Sequence, residues 1–420
     1  MKKKTSKLST GSLLALALTL LTAIACIWVL PKLFGDTDNT INVDTVAVSS
    51  QEAAELVTAQ IVPKKPVNIG SSGSSDLAKI SLRFAGIVNY NQKVQETTVD
   101  VNGVYHSTFI FDYVKNYLDS AYSTATIINT FVKNAKYNDL NASDEILLSL
   151  KQNGFNLLGA GGRNLLNKGT SGLDSILEAC EKYEINVHGI NTKKAELPIY
   201  IETIQNVKVA FLQYSQSIAR AGVYAINGAN TDRYIRILTE ERVKHDIAQA
   251  KSDGAQIVVV NMLWNSEPDP RITDYQRNAM HIIANAGADL IIGSNLTTAQ
   301  PFEIITAFNS NGTKRDVPVV YSLGTLLDSD RSRLSRICSI LLHIDLEYNL
   351  KENKIASMHF DYTPLFIWKN AQSGKESFVI LDAGLPALDN MSDEQKESMN
   401  KTNAFLRETF SNLPMQVPMQ

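Results

Sequence analysis

Apolar residues recur with regular spacing from residue 79 onward, and this pattern predicts a folded region of strands and helices. Ile80, Leu82 and Phe84 alternate with polar neighbours, which predicts a half-buried strand ending at Gly86. Strands are also predicted at residues 126–132, 155–158, 185–188, 257–260 and 290–293, and helices at 110–121, 143–153, 172–183, 239–254 and 272–286. Strand-helix units of this kind are typical of an α/β protein.

The later part of the chain changes to a period of two, which predicts antiparallel strands. Gln205-Asn206 lies between two apolar runs and predicts a hairpin, and alternating segments follow at residues 302–306, 317–321, 337–346 and 355–362. Strand-helix units followed by such a set predict a layered α/β/α or α/β/β/α sandwich, forming one domain over residues 79–385. Residues 386–420 are polar in composition, and we expect them to form a loose or peripheral C-terminal tail.

The N-terminus has the composition of a membrane anchor. Lys2, Lys3, Lys4 and Lys7 precede an apolar segment, residues 13–34, whose first 18 residues carry no charge. A helix of that length can cross a hydrocarbon core of about 30 Å. Because basic residues stay on the cytoplasmic side, residues 1–12 are expected in the cytoplasm, and the folded domain is expected outside the plasma membrane.

Two other interpretations of this segment involve cleavage. Residues 23–25 (Ala-Ile-Ala) resemble a signal-peptidase site, and residues 22–26 resemble a lipoprotein box ending at Cys26. We favour an uncleaved anchor, because residues 27–30 continue the apolar segment beyond either cleavage point. All three interpretations place the domain outside the cytoplasm. Residues 35–78 are polar, with a run of Gly and Ser near their end, and predict a flexible linker.

Charge and cysteine content narrow the classes of function. The formal net charge is −3 with scattered Lys and Arg, so no basic stripe is available for a nucleic-acid backbone. Cys180 and Cys338 lie in apolar patterns and are expected to be buried thiols, although a disulfide between them stays open. Neither a P-loop nor a Gly-x-Ser-x-Gly motif is present. His343 and His359, on neighbouring predicted strands, are the one histidine pair considered as a metal site.

Several short motifs, in a fixed order, resemble those of the CapA, or poly-γ-glutamate capsule synthesis, family. The most distinctive is Tyr-Ser-Leu-Gly at residues 321–324, followed by Asp328. Residues 286–293, followed by Gln300-Pro301, are nearly as distinctive, and residues 207–212 match a further strand. The resemblance covers residues 79–365 and implies a fold like that of calcineurin-type metallophosphatases, at a bacterial cell surface.

Measured against that family, the metal-binding side chains of this chain are replaced. The family's Gly-Asp is here Gly86-Ile87, and its Asn-Leu-Glu is Asn129-Thr130-Phe131. Its Asn-Asn-His with a later Asp is Gly162-Arg163-Asn164 with Asn167. Its His-Trp-Gly is Leu263-Trp264-Asn265, and its His-Pro-His is Asn295-Leu296-Thr297. The former ligand positions are therefore Ile87, Phe131, Asn164, Asn167, Leu263, Asn295 and Thr297. Because hydrocarbon side chains have no lone pairs and amides bind divalent metals weakly, we expect no metal centre, no cofactor and no catalytic residue.

Two functions are compatible with these residues. The first is a non-catalytic, membrane-anchored envelope protein that binds an anionic polymer, or subunits of a capsule-assembly machine, in the former active-site cleft. Candidate binding residues are Asn129, Arg163, Trp264, Glu267 and Tyr321, and the guanidinium of Arg163 suits an anionic group. Trp264 and Tyr321 are equally compatible with core positions at strand ends. The alternative is a metal-dependent hydrolase, or a component of a poly-γ-glutamate-type synthesis or export machine.

Overall fold

The computed structural model describes residues 76–418 except 134, 195, 229, 266–270, 296, 310–311, 372–374 and 415. The predicted cytoplasmic tail, the membrane anchor and nearly all of the linker fall in residues 1–75 and lie outside the described residues. Among the helices of the described region, none is long and apolar enough to cross a membrane.

The strands follow the alternating apolar patterns of the sequence. In chain order they are β1 (Leu77–Val88), β2 (Tyr122–Ile127), β3 (Phe155–Ala160), β4 (Asn186–His188), β5 (Tyr200–Ile204), β6 (Val207–Ser215), β7 (Ile257–Leu263), β8 (Leu290–Ser294), β9 (Ala299–Phe308), β10 (Lys314–Leu323), β11 (Thr325–Leu327), β12 (Cys338–Asn349), β13 (Lys354–Asn370), β14 (Ser377–Asp382) and β15 (Gln416–Pro418). Every residue of β7 is buried, as expected for a parallel strand covered on both faces.

The helices lie between these strands, and local capping residues fix several of their ends. They are α1 (Gln92–Thr98), α2 (Lys115–Leu118), α3 (Glu145–Gln152), α4 (Gly169–Lys182), α5 (Arg220–Ala225), α6 (Glu240–Ser252), α7 (Asp274–Ala286) and α8 (Asp393–Thr409), with 3₁₀ turns at Thr108–Phe111, Leu165–Lys168, Thr231–Arg233 and Leu334–Arg336. Thr239 and Thr273 each accept a backbone N–H at the start of α6 and α7. Gly287, at φ 112°, ends α7 in the left-handed conformation.

A nine-stranded sheet is built around β1. β1 pairs in parallel with β2 and with the short β11, and antiparallel with β12. β3 and β4 extend the parallel side, whereas β13 and β14 extend the antiparallel side and β15 adds to β13. The carboxyl ends of β1, β2 and β3 therefore meet at one edge of this sheet.

A six-stranded sheet has the order β5-β6-β7-β8-β10-β9. β6, β7, β8 and β10 run parallel, and the outer strands β5 and β9 are antiparallel to their neighbours. The predicted hairpin at Gln205-Asn206 is found between β5 and β6, with φ values of 50° and 67°. Two consecutive left-handed residues are what a two-residue hairpin turn requires.

The two sheets pack face to face through an apolar core that includes Leu82, Phe84, Phe211 and Val259. Apolar side chains of α3 and α4 cover the outer face of the nine-stranded sheet, and those of α6 and α7 cover the outer face of the six-stranded sheet. The prediction of a mixed α/β fold is confirmed, and the layers follow the order α/β/β/α.

The second strand ends earlier than the sequence pattern indicates. A strand was expected over residues 126–132, but β2 ends at Ile127. The side-chain oxygen of Asn129 accepts the backbone N–H of Tyr90 at 2.9 Å, and the main chain of Thr130 pairs with Asn141. These contacts turn the chain away from the sheet, although its β-branched composition continues.

The C-terminal segment is packed against the folded domain, so of the two expected alternatives the loose tail is wrong. Ser392 and Gln395 form a reciprocal capping box that starts α8. Met399 and Leu406 are buried on one face of this helix, and Val417 on β15 reaches the core between the sheets. The polar composition of residues 386–420 reflects the exposed face of an amphipathic helix.

β9 is the outer strand of the six-stranded sheet, and side chains occupy part of its free edge. The backbone N–H of Phe308 donates to Asn285 Oδ1 on α7 at 3.1 Å, and Asn412 Nδ2 donates to the carbonyl oxygen of Phe302 at 2.6 Å. Ile304 and Phe308 on this strand expose 40% and 52% of their surface. The edge is therefore apolar but partly closed to further strands.

Candidate functional site

A pocket of about 160 Å³ lies at the carboxyl ends of β1, β2, β3 and β7, between the two sheets. Parallel strands bring their carboxyl ends to one edge, where open α/β sheets usually bind their ligands. The structure brings together here five of the residues selected from the sequence, namely Ile87, Arg163, Asn164, Leu263 and Trp264. The remaining selected residues that the structure describes lie elsewhere.

The floor of the pocket is apolar. Ile87 is fully buried and stands between Thr126 of β2 and Thr325 of β11 in the parallel ladders. Ile128 follows the end of β2, Leu263 is the last residue of β7, and both side chains lie against Gly162. A Cβ on Gly162 would lie 3.3 Å from Leu263 Cδ2 and 3.4 Å from Ile128 Cγ2, and its φ is 114°. A glycine is therefore needed where the chain passes over this floor after β3.

Trp264 is held by the main chain of the neighbouring strands. Its indole N–H donates to the carbonyl oxygen of Tyr321 at 2.7 Å, and its ring meets Tyr275 edge to face. This arrangement needs Gly293 on β8, because a Cβ there would lie 1.9 Å from Tyr321 O and 2.7 Å from Trp264 Nε1. Trp264 is 4% exposed, so most of its side chain packs in the core and only part of it lines the pocket.

The rim of the pocket is polar. Arg163 is exposed and donates to Ser217 Oγ at 3.3 Å, and Ser217 is in turn bonded to the side-chain amide of Asn265. Asp139 and Asn164 are exposed rim residues as well. In the described part of the chain no carboxylate pairs with Arg163, so most of its five N–H donors face solvent.

Asn89, a half-buried residue, adds a polar side chain to the same pocket. Its amide N–H donates to Asp328 Oδ2 at 3.0 Å, and Asn91 donates to Asp328 Oδ1 at 2.7 Å. Burial raises the pKa of Asp328, although the hydrogen bond from Asn89 opposes the shift. Asn89 Oδ1 is buried and has no hydrogen-bond partner among the described residues. Asp328, the carboxylate of the distinctive sequence motif, thus orients Asn89 and leaves one acceptor at the pocket unsatisfied.

Asn295 and Thr297 are occupied by local structure. Asn295 is fully buried, and its Oδ1 accepts the backbone N–H groups of Thr297 and Thr298, both at 2.8 Å. This side chain closes the turn after β8 in the way that asparagine commonly does. Asn167 donates to Asn164 Oδ1 at 3.4 Å and does not line the pocket.

Phe131 and Asn129 lie away from the pocket because β2 ends at Ile127. Phe131 packs beneath α4, its backbone N–H donates to Ser175 Oγ, and it lines a separate cavity of about 490 Å³. Asn129 is 2% exposed and bonds to main-chain groups of Tyr90 and Asp139. The position at the end of β2 that the sequence comparison assigned to Phe131 is filled by Ile128 instead.

Tyr321 is a core residue rather than a pocket residue. It is fully buried, and its hydroxyl donates to Glu303 Oε2 at 2.8 Å. Burial, followed by this hydrogen bond, raises the pKa of Tyr321. Glu267 lies outside the described residues.

The donor atoms at the pocket do not suit a two-metal centre. Such centres bind through carboxylate and imidazole groups, and the side chains at the ends of β1, β2 and β7 are Ile87, Ile128 and Leu263. Asp139 is the one carboxylate among the pocket residues, and the others that carry donor atoms are amides and Arg163. No group of three His, Cys, Asp or Glu side chains suited to a metal exists within the described ranges.

The two histidines that were candidates for a metal site each face other residues. His343 bonds to Thr363 Oγ1 and faces Asp361 across the ladder, while His359 faces Asp345. Cys180 and Cys338 are buried free thiols, as expected, and burial raises the pKa of each to about 12.

Sequence analysis did not select Ile128, Asn89, Asp139, Leu140 or Asn265, all of which line the pocket. Asn265 was adjacent to a selected residue, and the end of the first strand pointed to Asn89. Asp139 and Leu140 belong to the loop before α3. The main chains of Thr130 and Asn141 pair with each other and hold this loop in place. That contact is not visible in local periodicity.

Known proteins provide two further comparisons. The chain is 24% identical over 302 residues to the "PGA biosynthesis protein CapA" of Bacillus subtilis (strain 168), covering 69% of this chain and 72% of that protein. It is 22% identical over 306 residues to the "Capsule biosynthesis protein CapA" of Bacillus anthracis, covering 69% and 68%.

Among solved structures, a Haemophilus influenzae NAD nucleotidase aligns with a TM-score of 0.43 and 12% identity, over 80% of this chain and 57% of that chain. A 5'-nucleotidase precursor from Thermus thermophilus aligns with a TM-score of 0.39 and 10% identity, over 79% and 59%. Residues 81–330 match the family described as bacterial capsule synthesis protein PGA_cap. Because that match covers more than half of the chain, this protein belongs to the bacterial capsule synthesis (PGA_cap) family.

Proposed function

We propose that this protein serves capsule assembly by holding one acidic unit of an anionic polymer in the pocket, without metal-dependent hydrolysis. The observation that carries the proposal is the pairing of an apolar floor, Ile87, Ile128 and Leu263, with Arg163 at the rim, which has no carboxylate partner among the described residues. An apolar floor suits the methylene groups of such a unit, and a guanidinium binds a carboxylate with two parallel hydrogen bonds.

The size and polarity of the pocket favour a unit of a polymer over a whole small molecule. Its volume of about 160 Å³ is below the roughly 300–1,000 Å³ typical of pockets that enclose a small-molecule ligand. Asn89 Oδ1, a buried acceptor without a partner in the described region, suits an N–H donor such as a backbone amide. A γ-linked glutamate unit supplies both a carboxylate and an amide N–H.

The names of two relatives support an anionic capsule polymer as the ligand. One is called a PGA biosynthesis protein and the other a capsule biosynthesis protein. We extend to this chain the polymer class in the first name, as part of the proposal.

Binding of a short γ-glutamyl oligomer to the purified full-length protein tests the proposal, measured by isothermal titration calorimetry. Arg163→Gln removes the charge and should weaken binding about tenfold or more, since charge-assisted hydrogen bonds contribute about 1.5–3 kcal/mol. Arg163→Lys keeps the charge but loses the paired geometry, so its affinity should lie between the two. Equal affinity of all three proteins would contradict the proposed site.

The non-catalytic part of the proposal has its own measurement. We expect no metal-dependent turnover of a phosphoester, and no stoichiometric Mn, Fe or Zn by elemental analysis of the full-length protein. Stoichiometric metal together with turnover would establish the alternative, a metal-dependent hydrolase.

We also propose that the chain is anchored by residues 13–34, with the domain outside the plasma membrane. Four lysines precede the apolar segment, which supports this orientation. Protease added to intact protoplasts should remove the domain. Protection of the whole chain under those conditions would show the opposite orientation.

A further inference from the structure

Beside the pocket, two chain segments form a surface that carries cations and no carboxylate. Residues 146–173 and 203–231 contain neither Asp nor Glu. Arg163 and Lys168 from the first segment and Arg220 from the second are all exposed. We call these three residues the cationic platform.

The main chain holds the two segments side by side. The backbone N–H of Ala219 donates to the carbonyl oxygen of Arg163 at 2.6 Å, next to Arg220. Gly222 of α5 packs so closely on the 3₁₀ turn that a Cβ there would lie 2.9 Å from Leu166 Cβ. The two segments therefore form one fixed surface, continuous with the pocket rim at Arg163.

The charges of the platform have no carboxylate partner among the described residues, whereas some other exposed lysines do have one. Lys182 pairs with Asp144 at 2.9 Å, and Lys244 pairs with Glu240 at 2.6 Å. Within the described ranges no carboxylate lies within ion-pair distance of Arg163, Lys168 or Arg220. Like charges fixed on one surface repel each other, and an anionic ligand relieves that repulsion.

We propose that the cationic platform binds successive carboxylates of a linear polymer, one unit of which occupies the pocket. This inference rests on the proposed function and extends its site from one unit to several. Tyr224 is 71% exposed and lies four residues after Arg220, on the same side of α5. Its ring offers an apolar contact for the uncharged part of the polymer next to a cation.

The platform predicts that affinity increases with polymer length. Once one unit occupies the pocket, each further carboxylate binds from a high effective concentration. The added contacts are surface electrostatic contacts, so they should weaken as salt increases.

The experiment compares a glutamate trimer with a long poly-γ-glutamate, using the purified full-length protein at low and high salt. Lys168→Gln together with Arg220→Gln should weaken binding of the long polymer at low salt about tenfold and reduce its salt dependence. Binding of the trimer, which stays in the pocket, should change less than about twofold. The matched control is Lys208→Gln with Lys314→Gln, which removes two exposed lysines at the opposite, amino-terminal edge of the six-stranded sheet. We expect the control to bind the long polymer like the wild type.

Several outcomes would overturn the platform. Equal losses in the platform and control variants would show that only net charge matters. Unchanged binding of the long polymer in the platform variant, with the trimer still dependent on Arg163, would refute the platform and leave the proposed function intact. Absence of trimer binding to the wild type would instead refute the proposed function. Polyphosphate that binds more tightly than poly-γ-glutamate through the same residues would overturn the assignment to a carboxylate polymer.

Discussion

Ile87 links the fold and the chemistry of the pocket at a single position. Its main chain pairs with both β2 and β11, and its fully buried side chain forms part of the floor. A hydrocarbon side chain of this size contributes about 1.5–3 kcal/mol when buried. An unpaired carboxylate at the same place would lose that contribution and also the hydration of its charge.

Ile87→Asp should therefore destabilise the protein by several kcal/mol near neutral pH. Ile87→Asn has the same shape without the charge, so the difference between the two variants isolates the buried charge. Since burial raises the pKa of a carboxyl group in the folded state, this difference should grow as pH rises from about 4, the pKa of an unfolded Asp, to the raised pKa, and then level off. Urea unfolding at several pH values measures it. If Mn²⁺ stabilised Ile87→Asp, the pocket would be a competent metal site.

The hydrogen bond of Trp264 to the main chain requires that residue 293 be a glycine. A Cβ at this position would lie 1.9 Å from the carbonyl oxygen that accepts the indole N–H. Gly293→Ala should cost about 3 kcal/mol, since β8 and β10 must move apart. Tryptophan fluorescence and urea unfolding would show the change. Gly384→Ala, whose closest contact is the flexible side chain of Asp382 at 3.1 Å, is the control and should be nearly neutral.

At the scale of elements, a buried ion-pair cluster fixes α6 to the chain before it. Asp246 on α6 accepts hydrogen bonds from Arg236 at 2.7 Å, from Arg242 at 2.9 Å and from the hydroxyl of Tyr214 at 3.0 Å. Burial acts to raise the pKa of Asp246, but Arg236 and Arg242 hold it below its usual value. Arg236 also donates to the carbonyl oxygens of Leu197 and Pro198. One side chain thus connects three segments.

Asp246→Asn should destabilise the protein by about 3–5 kcal/mol, because Arg236 would remain buried without a counter-charge. The control Glu240→Gln disrupts the exposed pair with Lys244 on the same helix and should cost less than about 1 kcal/mol. Both values come from urea unfolding at neutral pH. Similar effects of the two substitutions would contradict the role assigned to the cluster.

At the scale of the whole molecule, two neutral histidines connect stability to pH. Burial, with a contribution from Arg236, lowers the pKa of His188 to about 3. Burial, with a contribution from Arg83, lowers the pKa of His343 to about 4. In the unfolded chain both histidines take up a proton near pH 6.5, whereas in the folded protein they stay neutral until much lower pH.

Stability should therefore fall as pH decreases from about 6.5 toward 4, because the unfolded state binds more protons in this window. His343→Gln removes one of the two groups and should make the decline shallower, even if it lowers stability at neutral pH. His281→Gln, at an exposed position, should leave the slope unchanged. The measurement is the free energy of unfolding in urea at successive pH values. A variant His343→Gln with the slope of the wild type would exclude this contribution.

Sequence analysis located the pocket through Ile87, Arg163 and Leu263, because the resemblance to the CapA family placed these residues at its metal-binding motifs. It misplaced Phe131, because β-branched composition continues after Ile127 while contacts with Tyr90 and Asn141 turn the chain. Such long-range contacts leave no periodic signal. The amphipathic helix α8 was missed for a different reason: few of its residues are apolar. The spacing of Ser392 and Gln395 was nevertheless an available capping signal.

The two asparagines on the free edge of β9 bear on solubility. Asn412 donates a hydrogen bond to the carbonyl oxygen of Phe302 only while the C-terminal segment is in place. The neighbouring Ile304 is already 40% exposed. A protein ending at residue 385 would lose that contact along with α8 and β15. Its free edge would then offer backbone groups and apolar side chains to a second copy, in the geometry that supports strand addition. Such a truncated protein should aggregate in a concentration-dependent way, because the C-terminal segment would no longer cover part of the β9 edge.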